Sequence, residues 1–232
     1  MKLRWQRALV KLSGELIGRG GESLAREGLR FYAREVGAAR GAGVKLAVVV
    51  GGGNIARGSA LSHLPPTTGH TIGMLGTLIN GLALREVLTE EGIPSLLMSA
   101  LPCPGVAEAV DPWRAHAALE EGHVVLFSAG TGNPFVTTDT AAVIRALAVG
   151  AEVVLKGSNV DGIYTTDPKT DPTAQPLPTL APREYLARGL RAMDGAAVAI
   201  AADHGLPIVV YRGDREGALV AALQGEGGSL IA

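Results

Sequence analysis

The sequence predicts an α/β protein, a three-layer αβα sandwich around a central, mostly parallel sheet. Three observations predict it. Short β-like runs alternate with helical stretches along the 232 residues, the pattern of parallel strands joined by crossover helices. The run 44–50 is apolar and β-branched almost throughout, as expected of a strand covered on both faces. Glycine supplies 32 of the 232 residues, about twice the ordinary ~7%, and it gathers where the β-like runs end.

Taken in order, 8–12 reads as a strand leading into Ser13-Gly14-Glu15. Leu29, Tyr32, Ala33 and Val36 have helical spacing and predict a helix over 24–39. The strand 44–50 ends in Gly51-Gly52-Gly53-Asn54. A helix is expected over 71–91, apolar on nearly every side (Ile72, Leu75, Leu78, Ile79, Leu82, Leu84, Val87, Leu88). Such a helix is either central or covered by a partner subunit. Residues 95–98 read as a short strand, and Asp111-Pro112 as a helix start with Asp as N-cap. A strand over 123–127 precedes the loop Ser128 to Pro134, and a helix over 138–149 precedes a strand over 153–156. Five prolines mark 167–182 as loop. A helix over 194–204, a strand over 207–211, a helix over 214–223 and an edge strand over 229–231 complete the chain. No composition break divides it, so one domain over 1–232 with two lobes is expected.

Composition narrows the function. The formal net charge is -1, so no global field favours nucleic acid or an anionic membrane. Cys103 is the one cysteine; an internal disulfide is impossible and a reducing cytoplasm fits. The N-terminal stretch lacks the apolar segment of a signal peptide. No uninterrupted apolar run approaches the ~20 residues of a membrane span.

Ligands of parallel sheets bind beyond the carboxyl ends of the strands, and the glycine tracts fall there. Gly51-Gly52-Gly53-Asn54 is neither GxxxxGK[ST] nor GxGxxG, but its bare backbone could still point N–H groups at a phosphate. Lys11 beside Ser13-Gly14, Lys156 beside Gly157-Ser158, and Arg57 beyond Gly53 place cations at strand ends. Thr137 and Thr138 open a helix, whose free N–H groups favour an anion; capping by threonine is the competing explanation. Asp139 and Asp194 are carboxylates that could orient lysines or hold Mg²⁺ through water. Two anion cradles, several cations and one or two carboxylates suit phosphoryl transfer between two phosphorylated molecules. The five histidines are scattered, and neither a nucleophilic triad nor zinc-ligand spacing is present.

These motifs, in this order, resemble the amino-acid-kinase superfamily and, within it, the bacterial uridylate kinases. The carrying residues are Lys11-Leu12-Ser13-Gly14-Glu15, Gly51-Gly52-Gly53-Asn54 with Arg57-Gly58, Gly73-Met74-Leu75 and Asn80-Gly81-Leu82-Ala83. They continue through Leu97-Met98-Ser99-Ala100, Ser128 to Asp139, Val160-Asp161-Gly162 with Asp167-Pro168, and Met193-Asp194. The resemblance implies the amino-acid-kinase-like fold, phosphoryl transfer from ATP with Mg²⁺ to UMP, no direct protein ligand to the metal, and a hexamer built from dimers. It implies an ATP site from Lys11, Leu12, Ser13, Gly14, Gly53, Arg57, Ser158, Tyr164 and Asp167. It implies a UMP site from Gly52, His70, Thr131, Gly132, Asn133, Pro134, Phe135, Val136, Thr137 and Thr138. Lys11, Asp139, Lys156 and Asp194 are the expected catalytic group. In this division the N-terminal lobe holds the acceptor and the dimer contact, and the C-terminal lobe holds ATP.

The chain departs from the family pattern at named positions. His70 stands where relatives carry an Asp that binds the ribose hydroxyls; a neutral imidazole can still hydrogen-bond a hydroxyl. Asn159 stands where many relatives carry Lys. Inhibition by UTP and activation by GTP are family expectations. Arg85 and Trp113 match the GTP pattern, whereas Thr89, Leu96 and Glu120 replace basic residues, leaving the GTP response open.

Overall fold

The computed structural model describes residues 2–18, 21–57 and 61–232. In chain order they form β1 (Arg7–Leu12), α1 (Gly14–Ile17), α2 (Arg26–Gly41), β2 (Lys45–Val50), α3 (Pro66–Glu90), β3 (Ser95–Ser99), β4 (Glu108–Ala109) and α4 (Pro112–Glu120). There follow β5 (Val124–Ser128), α5 (Thr138–Ala148), β6 (Val153–Ser158), β7 (Thr179–Leu180), α6 (Pro182–Ala187), α7 (Gly195–Asp203), β8 (Ile208–Arg212), α8 (Ala218–Gln224) and β9 (Ser229–Ile231). The strands make one sheet in the order β4-β3-β5-β2-β1-β6-β8-β9-β7. Its strand pairs are parallel except β8 with β9. The expected αβα sandwich is therefore present.

The two-residue period of the strands divides the core. Ala8, Val10 and Leu12 of β1 and Leu46, Val48 and Val50 of β2 pack with α2, α3 and α8. Leu9 of β1, Ala47 and Val49 of β2 and Val154 of β6 pack with α4, α5 and α7. Lys11 shares the parity of Leu9, and Lys156 that of Val154. Both lysines therefore leave the sheet on the α5 side. Because β1 and β6 are neighbours, with Lys11 opposite Lys156 in the register, the two side chains stand together.

Several expected boundaries shift for local reasons. α3 begins at Pro66 rather than at 71, with proline in its first turn, where no N–H is needed. At 25 residues, with an 18-residue stretch of mean hydropathy 1.2, it has the length and composition of a membrane span. Here its buried Asn80 donates to Gly51 O at 2.7 Å and its buried Thr77 accepts from Ala129 N at 2.7 Å, tying it to the strand tips. β6 continues through Gly157 to Ser158, past the expected end at 156. A Cβ on Gly213 would lie 2.7 Å from Gly157 Cα, so these two bare backbones touch. α8 starts at Ala218, not 214, because Asp214 accepts from Arg212 Nε at 2.9 Å and Gly217 takes φ 76°. The proline-rich loop over 167–182 contains a strand after all: β7 pairs with β9 and is too short to show periodicity. Gly58, part of the Arg57-Gly58 motif, lies outside the described residues.

Candidate active site

The centre of the site follows from the register. Lys156 Nζ donates to Asp139 Oδ2 at 2.5 Å, and Lys11 Nζ stands 3.3 Å from Asp139 Oδ1. The Lys11 contact lacks hydrogen-bond alignment, and Asp139 Oδ1 is a buried oxygen with no hydrogen bond. Asp139 lies in the first turn of α5, and its carboxylate is almost wholly enclosed between the two ammonium groups. Burial opposes its charge, but the lysines outweigh burial and hold its carboxyl below the usual range. Burial likewise pushes the Lys156 ammonium below its ordinary value, with Asp139 acting against it and Lys11 with it.

Asp194 closes the cluster from the opposite helix. Its carboxylate caps α7 by accepting from Ala196 N at 3.2 Å. The other oxygen accepts from Thr137 Oγ1 at 2.8 Å and from Thr140 Oγ1 at 2.7 Å, while Asp194 N donates to Asp139 Oδ2 at 3.3 Å. Thr137 in turn caps α5. The N-termini of α5 and α7 thus meet at the lysine pair.

Two cavities open from this point. One of ≈ 440 Å³ is lined by Lys11, Ser13, Lys156 and Ser158, with Glu15 and Asp214 on its walls. The other, of ≈ 530 Å³, is lined by Tyr164, Asp167 and the chain between them. They meet at Asn159, Arg191 and Ala192. The turn beside Lys11 depends on Gly14, where a Cβ would sit 2.3 Å from Asn54 Oδ1 and 2.7 Å from Gly51 O. Asn54 and Asn80 exchange amide hydrogen bonds there. Arg57, which packs beside Gly53, pairs with the cavity-lining Glu15; neither Arg57 nor Gly53 lines the cavity itself. Leu12 turns its side chain into the core and lines neither cavity.

The loop 129–137 lies at the tip of β5. Gly52 approaches α3 so closely that a Cβ would fall 2.8 Å from both Gly73 O and Thr77 N. Ala129 takes φ 60° and Phe135 φ 66°, a left-handed backbone uncommon outside glycine. Ala129 is held there by Thr77, whose hydroxyl donates on to Met74 O at 2.8 Å. Phe135 is 64% exposed, and its ring centroid lies 4.8 Å from that of His70. Thr131 Oγ1 accepts from Asn133 N at 3.2 Å, and Gly132 takes φ 82° against Ala100. Among the described residues, no group of three or more His, Cys, Asp or Glu is placed to hold a metal.

Most sequence-predicted site residues therefore converge on one edge of the sheet. The sequence reading missed Glu15, Asp214 and Arg191 as cavity walls. Glu15 sits inside the motif Lys11 to Glu15 and could have been found; Asp214 reads in the sequence as the start of a helix, and Arg191 lies in a loop with no pattern. The GTP-pattern residues are elsewhere. Arg85 donates to Val106 O at 2.9 Å, Trp113 is exposed, and Glu120 is taken up by Arg7 and Lys45.

Known proteins match this chain along its length. The sequence pattern of the amino acid kinase family matches residues 6–212. A uridylate kinase of Marinobacter nauticus is 45% identical over 226 residues, covering 96% of this chain and 93% of that protein. The crystal structure of UMP kinase from Bacillus anthracis superposes with a TM-score of 0.94 at 35% identity, covering 98% of this chain and 96% of the other. That of Ureaplasma parvum UMP kinase gives 0.92 at 30% identity, covering 99% and 100%.

Proposed function

The chain belongs to the amino acid kinase family, on its uridylate kinase branch, and from that premise we propose that it transfers the γ-phosphoryl group of ATP to a phosphate oxygen of UMP, giving ADP and UDP. The observation that carries the chemistry is the lysine pair on neighbouring strands sharing Asp139. The acceptor oxygen is already ionised near neutral pH, so no general base is required. The obstacle is repulsion between two polyanions, overcome by in-line positioning and by cations fixed where charge develops.

In this reading the first cavity takes the phosphates of ATP and the second its nucleoside. Lys11, whose hydrogens are not committed to an aligned bond, reaches the transferred group. Asp139 holds both ammonium groups close despite their repulsion. Asp194 positions Thr137 and Thr140 at the mouth of α5, next to the loop Thr131 to Thr138, which with Gly52 and His70 receives UMP. Asp139 is committed to two lysines and is no free metal ligand. ATP therefore brings Mg²⁺ on its own phosphates, with the ion keeping most of its waters.

The chain acts, in this reading, as a single domain with donor and acceptor lobes on one sheet. The exposed Leu75, Ile79 and Leu82 of α3 form the stripe where copies meet, as a hexamer of dimers would need. A free Cys103 fits the cytoplasm. UTP is read as an inhibitor; the panel below decides the GTP response, since Thr89, Leu96 and Glu120 stand where the family pattern has basic residues and Glu120 is paired with Arg7 and Lys45.

An acceptor panel tests the reaction. UMP, CMP, dUMP, glutamate and carbamate are supplied with ATP and Mg²⁺, with and without GTP and UTP, and ADP release is followed. UMP should be the preferred acceptor by at least tenfold; equal or greater turnover with a carboxylate or carbamate would overturn the reading.

A further inference from the structure

We propose that Arg191 is a further substrate-contacting residue, gripping the phosphate chain of the donor nucleotide where the two cavities join. The proposal rests on the donor reading above and adds a contact to it.

Arg191 lies between α6 and α7 and lines both cavities. Charge accounting around the first cavity singles it out. Its carboxylates are already matched: Glu15 pairs with Arg57 and Asp214 with Arg212. Lys11 and Lys156 share the single charge of Asp139. Among the described residues lining this cavity, Arg191 is the cation with no carboxylate partner. A triphosphate chain running from the second cavity into the first must pass it. A guanidinium offers five N–H donors in a planar fork that fits phosphate oxygens in pairs.

The segment bearing Arg191 is also anchored. Two residues on, Met193 N donates to the buried Tyr185 hydroxyl at 2.5 Å, and that hydroxyl donates back to Met193 O at 2.8 Å. Asp194 N then reaches Asp139. Arg191 is thus an exposed side chain on a backbone fixed to the lysine cluster, which suits a group that meets an incoming ligand at little cost in ordering.

Calorimetric titration of ATP with Mg²⁺, and separately of adenosine, into the wild type, Arg191→Ala and Arg191→Gln tests it. Both variants should bind ATP about tenfold more weakly and adenosine within twofold of wild type. In turnover, the KM for ATP should rise while that for UMP stays within twofold. ATP binding within twofold of wild type would overturn the proposal, as would an equal loss for adenosine, which would assign Arg191 to the base or ribose. A wild type that binds ATP yet transfers nothing to UMP would end the acceptor reading and leave the Arg191 comparison intact. A wild type that binds no ATP would overturn both.

Discussion

Between β1 and β6, strand register places two lysines side by side, and a buried carboxylate from α5 fits between them. Between β5 and α5, by contrast, the chain crosses in a glycine-rich loop whose Phe135 projects outward on a left-handed backbone. The first region is set by the ladder of a buried sheet and by charges that cannot move apart. The second is held by a few side-chain bonds and one aromatic contact. One half of the cleft is thus fixed by the sheet ladder and a buried ion cluster, and the other by local loop contacts alone. Strain at such loops is characteristic of ligand clamps.

If that contrast is right, damage to the first half should appear in turnover and in folding, and damage to the second in acceptor affinity. The largest effect is expected at Lys11. Lys11→Met should lower kcat by about 10²–10³-fold, the scale of losing one fixed donor to developing charge. UMP should still bind within a few-fold of wild type by calorimetry. Near-normal turnover in this variant would remove Lys11 from the chemistry.

Asp139→Asn comes next and probes folding. It leaves two largely enclosed ammonium groups without their shared counter-charge, so unfolding in urea should show a loss of about 3 kcal/mol at pH 7. Its pH dependence sharpens the point. Asp139 has a depressed pKa in the folded protein, so its stabilisation is present above the ordinary carboxylate range and is lost as pH falls through the folded value. That acid-side loss should be missing from the variant. Lys156 also has a depressed pKa. Between its folded value and the unfolded 10.5 the unfolded state holds more protons, so stability rises with pH there. Without Asp139 to oppose the depression, this alkaline rise should start at lower pH. Identical acid and alkaline profiles for the two proteins would contradict the pairing described.

The smallest effect is expected at Phe135. Phe135→Ala removes the ring packed on His70 and should raise the KM for UMP by roughly fivefold, equivalent to about 1 kcal/mol. Stability and the KM for ATP should hardly change. An equal rise in both KM values would erase the proposed division between the halves.

Much of this was legible in the sequence because the relevant signals are local. Lys11, Gly51-Gly52-Gly53 and Lys156 sit at or near the ends of β-like runs, and Thr137 and Asp194 stand at helix starts, where both serve as N-caps. β7 was not legible because two residues between prolines carry no period, and the end of β6 was misplaced because a glycine contact, not a breaker, decides it. Arg191 was missed because a loop arginine has no pattern of its own.

The sequence by itself determined the alternation of strands and helices, the bare backbone at the strand tips, and the parity that puts Lys11 and Leu9 on one face. Each is a property of residues close together in the chain. Only the tertiary structure decided that β6 lies beside β1, with Lys156 opposite Lys11, and that Asp139 and Arg191 come to their side. The period of a strand says which face a residue takes. It says nothing of which strand is its neighbour, because neighbours are chosen by packing across the whole sheet.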